Sequence, residues 1–96
     1  MVININVRVL IGATEDGFKT ANRFSDIYCK MFYVDYVKER IPFEELILLA
    51  EEKGMTHMLY FLNDKAARLS LIQGEMGGYT FDIGVDDLEK VLSENA

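Results

Sequence analysis

The chain has 96 residues, with 10 Lys+Arg against 16 Asp+Glu, and its net charge is −6. That length makes one domain, residues 1–96, while a single cysteine (Cys29) excludes an internal disulfide and a single histidine (His57) leaves too few soft ligands for a protein-built zinc site. The acidity opposes phosphate backbones and anionic membranes, so no direct nucleic-acid partner and no membrane partner is expected.

Half the residues are hydrophobic and the mean hydropathy is slightly positive. Small chains bury a modest share of their surface, so the surplus of apolar side chain points to a homodimer. Met1 leads straight into Val2-Ile3-Asn4-Ile5-Asn6, without the basic and apolar regions of a leader. The lone cysteine suits a reducing compartment, and the cytoplasm is the expected location.

In chain order, the first element is a strand. Ile3, Ile5, Val7, Val9 and Ile11 alternate with Asn4, Asn6 and Arg8, the period-two pattern of a half-buried strand ended by Gly12. Residues 12–22 read as a loop or a short helical turn, with Asp16-Gly17 as the turn signal. Residues 24–38 are rich in β-branched and aromatic side chains and read as a second strand; a helix from Gly17 to about Arg40 is the competing reading. Pro42 then opens a helix with Glu44 and Glu45 in its first turn. Phe43, Leu46, Ile47 and Ala50 form its apolar stripe, and Gly54 follows as a cap.

A meander comes next. Residues 55–63 read as a strand and Asn63-Asp64 as a turn. Residues 66–73 read as a strand with a helical alternative. Gly74, Gly77 and Gly78 bracket another turn, and 79–83 is a strand. A last helix is announced by Asp86 with Glu89 three residues on, in the manner of a capping box, and by Leu88, Val91 and Leu92. The expected fold is α+β, a mostly antiparallel or mixed sheet of about five strands with two helices, in the order β-β-α-β-β-β-α.

No motif names a reaction, and no catalytic residue or cofactor site is assigned. Gly12-Ala13-Thr14-Glu15-Asp16-Gly17 follows a strand, as phosphate-binding loops do, but it lacks their glycine spacing and their lysine. A surface turn, with Thr14 able to cap a short helical turn, explains it better. Cys29 with His57 would make a nucleophile and base, yet Cys29 falls on the apolar face of the expected strand, where it serves as a small hydrophobe. The pairs Glu44-Glu45 and Glu51-Glu52 read as the solvated side of their helix, not as metal ligands.

The aromatic stripe Tyr28, Phe32 and Tyr36 needs cover from a helix, a second sheet or another subunit. The acidity is concentrated at the C-terminal end, where Glu75, Asp82, Asp86, Asp87, Glu89 and Glu94 face Lys90 alone. Together these features favour an acidic protein-binding module of inhibitor, immunity or antitoxin type that masks a partner surface. A basic partner would suit its charge. Tyr28, Phe32, Tyr36, Glu75, Asp82, Asp86, Asp87 and Glu89 are the expected contact residues. One alternative is a small dimeric ligand-binding or catalytic domain with Tyr33, Tyr60, Tyr79, His57 and Arg68 around a cleft. The other is a small structural subunit of a larger assembly.

Overall fold

The computed structural model describes residues 4–30, 32–73, 78–88 and 90, with residues 4–6 described by backbone alone. Strand β1 (Asn4–Ala13) is where the alternating pattern places it. It is not half-buried, however. Val7, Val9 and Ile11 enter one core while Leu10 enters another on the opposite face. Such two-sided burial marks the middle strand of a parallel sheet. Ile3 lies outside the described residues.

Residues 24–38 divide between the two readings open in the sequence. Helix α1 (Phe18–Tyr28) begins at Gly17, and strand β2 (Phe32–Tyr36) follows it. Aromatic side chains repeating every fourth residue fit one face of a strand and one stripe of a helix equally well. The arbiter is tertiary: Ala21, Phe24 and Tyr28 are buried together at i, i+3 and i+7, against β1 and β2. The expected order therefore gains a helix, becoming β-α-β-α-β-β-β before the C-terminal helical residues.

Helix α2 (Phe43–Glu52) carries Glu44 and Glu45 in its first turn and buries Leu46 and Ala50, as its stripe requires. Gly54 takes a positive φ of 69° just after it, the left-handed conformation that stops a helix. Strands β3 (His57–Phe61), β4 (Ala66–Leu71) and β5 (Thr80–Gly84) complete the meander. Between β3 and β4 the Asn63 Oδ1 accepts the N–H groups of Lys65 and Ala66, which makes the expected turn. Residues 85–88 and 90 are helical. Asp86 thus sits within the first turn instead of capping it, and Glu89, Val91 and Leu92 fall outside the described residues.

The sheet has the order β2-β1-β3-β4-β5. β2 and β3 pair parallel to β1, and β4 and β5 continue antiparallel. The protein is therefore α+β with a five-stranded mixed sheet. Parallel neighbours need crossover connections, which α1 and α2 supply. The first crossover steps to one side of β1 and the second steps back across it. Right-handed connections then place the two helices on opposite faces. The α1 face buries Val7, Val9, Ile11, Phe24, Tyr28, Phe32, Leu59 and Phe61, and Leu88 joins that core. The α2 face buries Leu10, Leu46, Ala50, Met55 and Met58.

Candidate functional site

In open sheets of this kind, ligands commonly meet the carboxyl ends of the strands where the connections reverse direction. Here that place lies between β1 and β3, and backbone closes it. Thr14 N–H donates to the Phe61 carbonyl at 3.0 Å, and the Thr14 hydroxyl donates to the Leu62 carbonyl at 2.7 Å. Gly17 N–H donates back to Thr14 Oγ1 at 3.2 Å. A Cβ on Gly17 would overlap the Phe61 carbonyl oxygen. The loop is thus a tied turn with Glu15 and Asp16 exposed, the surface-turn reading of its sequence. No cavity opens anywhere among the described residues.

Charge is distributed unevenly over the surface. Lys19 and Arg23, one helical turn apart, share the outer side of α1, and Lys30 lies exposed just past its end. None of the three joins an ion pair among the described residues. Asp26 and the 42% exposed Ile27 interrupt the row. The outer side of α2, across the sheet, carries exposed Glu44, Glu45, Glu51 and Glu52 around Leu48, which is 64% exposed. Elsewhere Arg40, Lys53 and Arg68 are paired with carboxylates, while Arg8, Lys38, Lys65 and Lys90 join no ion pair among the described residues. Lys53 donates to Asp35, which holds its pKa above the usual lysine value, and Arg68 donates to Asp82 at 2.9 Å with the same direction of shift. No cluster of carboxylate, His or Cys side chains able to hold a metal occurs among the described residues.

The residues picked out by sequence scatter. Tyr28 and Phe32 are buried in the α1-face core, their ring centroids 5.8 Å apart, and Tyr36 is half-buried beside that core. They cluster as their spacing implies, but α1 itself is the cover they need, and they leave little surface for a partner. Burial raises the Tyr36 pKa. Asp82, Asp86 and Asp87 are exposed, and Glu75 and Glu89 lie outside the described residues. Cys29 is an exposed residue at the end of α1 and not a strand hydrophobe. His57 is buried in β3, its Nδ1 2.8 Å from Thr56 Oγ1, so no nucleophile–base pair forms. Burial pushes its pKa down.

The polar groups proposed for a cleft do not converge either. Tyr60 packs edge-on against Phe43, Arg68 stacks on the same Phe43 ring, and Tyr79 is exposed beside Phe81. Sequence reasoning passed over one arrangement. Arg8 and Tyr33 are register partners on β1 and β2, and the guanidinium lies over the ring at 5.3 Å from its centroid. The signal available was Tyr33 falling on the face of β2 opposite Phe32 and Val34.

No protein-family model matches the chain, and no curated protein matches it in sequence. Solved structures do match in shape. The RNA binding domain of threonyl-tRNA synthetase from Cryptosporidium parvum Iowa II superposes with a TM-score of 0.69 over 92% of this chain, at 16% identity. The likeness is one of fold. Prolyl-tRNA synthetase from Cryptosporidium parvum matches over 93% with a TM-score of 0.63 at 18% identity. Histidyl-tRNA synthetase from S. aureus matches over 95% with a TM-score of 0.58 at 14% identity. The chain spans 23%, 20% and 28% of those three chains respectively.

These likenesses correct the functional expectation. The fold is shared with a domain described as RNA binding, and none of the three neighbours is an inhibitor, an immunity protein or an antitoxin. The masking module, the dimeric cleft domain and the structural subunit lose their support, and so does a homodimer built to hide aromatic surplus. The exclusion of nucleic acid rested on summed charge. That sum says nothing about how charge is placed on each face. No described helix is long and apolar enough to cross a membrane.

Proposed function

We propose that this domain binds RNA, with the outer side of α1 against the phosphate backbone. The observation that carries the proposal is the match, over 92% of the chain, to the RNA binding domain of a threonyl-tRNA synthetase. The charge layout supports the choice of face. Lys19, Arg23 and Lys30 join no ion pair among the described residues, whereas α2 presents four exposed glutamates. A phosphate backbone is attracted to the first surface and repelled by the second, so a protein of net charge −6 still offers RNA one favourable helix face. Phosphate contacts of this sort position the RNA and carry no sequence information. An RNA-binding role agrees with the cytoplasmic location expected from the sequence.

The test is fluorescence anisotropy of labelled transfer RNA titrated with the protein over a range of salt. About three phosphate contacts give a log–log slope near −2. Lys19→Glu/Arg23→Glu/Lys30→Glu should abolish measurable binding, while Glu44→Gln/Glu45→Gln on α2 should leave it within about twofold, since screening over a Debye length of about 10 Å separates the faces. Absence of binding by the unaltered chain at low salt contradicts the proposal. Equal sensitivity to the α2 changes contradicts the choice of face.

A further inference from the structure

The end of the sheet opposite the Thr14–Gly17 turn gathers a different set of groups. β1 and β3 begin there, and α2 and β4 end there, because β1, β2 and β3 are parallel and each helix runs back between them. Arg8 and Tyr33 lie on neighbouring strands at that end, on the sheet face that α2 covers and near the Lys53–Asp35 pair. Lys30 lies between α1 and the edge strand β2, so an RNA strand held along α1 reaches Tyr33 across the β2 edge. Tyr33 is 50% exposed on β2, which is an edge strand, and the Arg8 guanidinium lies over its ring. Arg8 is exposed and joins no ion pair among the described residues. Gly54, held at a positive φ, leaves space beside the pair: the position a Cβ would take is 4.0 Å from Arg8 Nη1 and 3.9 Å from Gln73 Nε2. The Gln73 amide is exposed and engages no described group.

Each component has a use in holding an unpaired nucleotide. A half-exposed aromatic ring offers a stacking face to any base. A guanidinium already parked on that ring adds cation–π attraction and a donor for the adjoining phosphate. A free amide offers a donor and an acceptor to a base edge. Tyr79, also exposed, leans on Phe81 and has no cation over it among the described residues. An acidic peptide would use Arg8 but would leave the ring and the amide idle.

We infer that the Arg8–Tyr33 pair is a stacking site for a single unpaired RNA base, with Gln73 beside it to contact the base edge. This rests on the RNA-binding reading and adds to it a preference for single-stranded over duplex RNA.

The chain contains no tryptophan, so Tyr33→Trp installs a unique fluorophore that keeps a stacking ring. Titration with a short single-stranded oligoribonucleotide should quench its emission saturably, and a duplex of the same sequence should not. Tyr33→Ala, with its fold verified by circular dichroism, should bind the single strand about tenfold more weakly and the duplex unchanged. If RNA binds but the fluorophore is silent and Tyr33→Ala binds normally, the site is overturned while the RNA-binding reading stands. If the unaltered chain binds neither RNA, the reading fails and takes the site with it. Quenching by an acidic peptide equal to that by RNA also overturns base stacking.

Discussion

Gly17 sits where the turn after β1 meets the end of β3, and it has no room for a side chain. The atom in the way belongs to backbone, the Phe61 carbonyl oxygen, which cannot rotate aside. Gly12 is crowded differently: its Cβ would meet Leu46 Cδ1 at 2.5 Å, the movable tip of a side chain. Gly17→Ala should therefore cost about 3 kcal/mol and Gly12→Ala about 1 kcal/mol, in urea unfolding at neutral pH. His57 supplies a second residue-scale outcome. Its folded pKa lies below the unfolded one because burial disfavours the charged ring. Below about pH 6.5 the unfolded chain takes up a proton that the folded chain refuses, so stability falls as pH drops through that window toward the folded pKa. Above the window the ring contributes no pH dependence. His57→Gln should flatten the decline in unfolding free energy between about pH 7 and the onset of carboxylate titration.

At the scale of elements, α2 was legible because its signals agree. Proline at the start, glutamates in the first turn, an apolar stripe and a terminal glycine all specify one helix, and the helix forms there, beginning one residue later than read, with Pro42 as its N-cap. Leu46→Ala should cost about 3 kcal/mol because Leu46 is fully buried. Leu48→Ala, on the exposed side, should stay within about 0.5 kcal/mol; chemical denaturation of the pair checks the helix orientation. Helix α1 was harder. Its stripe of Ala21, Phe24 and Tyr28 runs without a break in composition into the strand residues Phe32, Val34 and Tyr36. Aromatic and β-branched side chains favour strands only as far as packing lets them. The boundary between Tyr28 and Phe32 is set by the chain turning back to pair with β1, a long-range event that local propensity does not encode. The two-sided burial of β1 was hidden for a similar reason. Asn4, Asn6 and Arg8 mark its start as half-polar, and the switch to Leu10 and Gly12 beneath α2 comes only afterwards.

For the molecule as a whole, the α+β class and the five strands could be read from hydrophobic periodicity. The role could not. At 14–18% identity to the three synthetase chains, the likeness lies in the path of the backbone, not in any motif. Net charge misled because it is a sum. The glutamates of α2 and the aspartates near the C-terminus outweigh the lysines and arginine of α1, yet α1 and α2 lie on opposite faces of the sheet. The aromatic stripe misled because its cover was sought outside the chain, while a helix absent from the expected order provides it. Amide chemical-shift mapping tests the central claim most directly: the isotope-labelled protein is titrated with an RNA hairpin and followed residue by residue. Shifts gathered along Lys19, Arg23 and Lys30, with Glu44 and Glu45 unmoved, are the predicted result. Shifts centred on α2, or none at any RNA concentration, would contradict it.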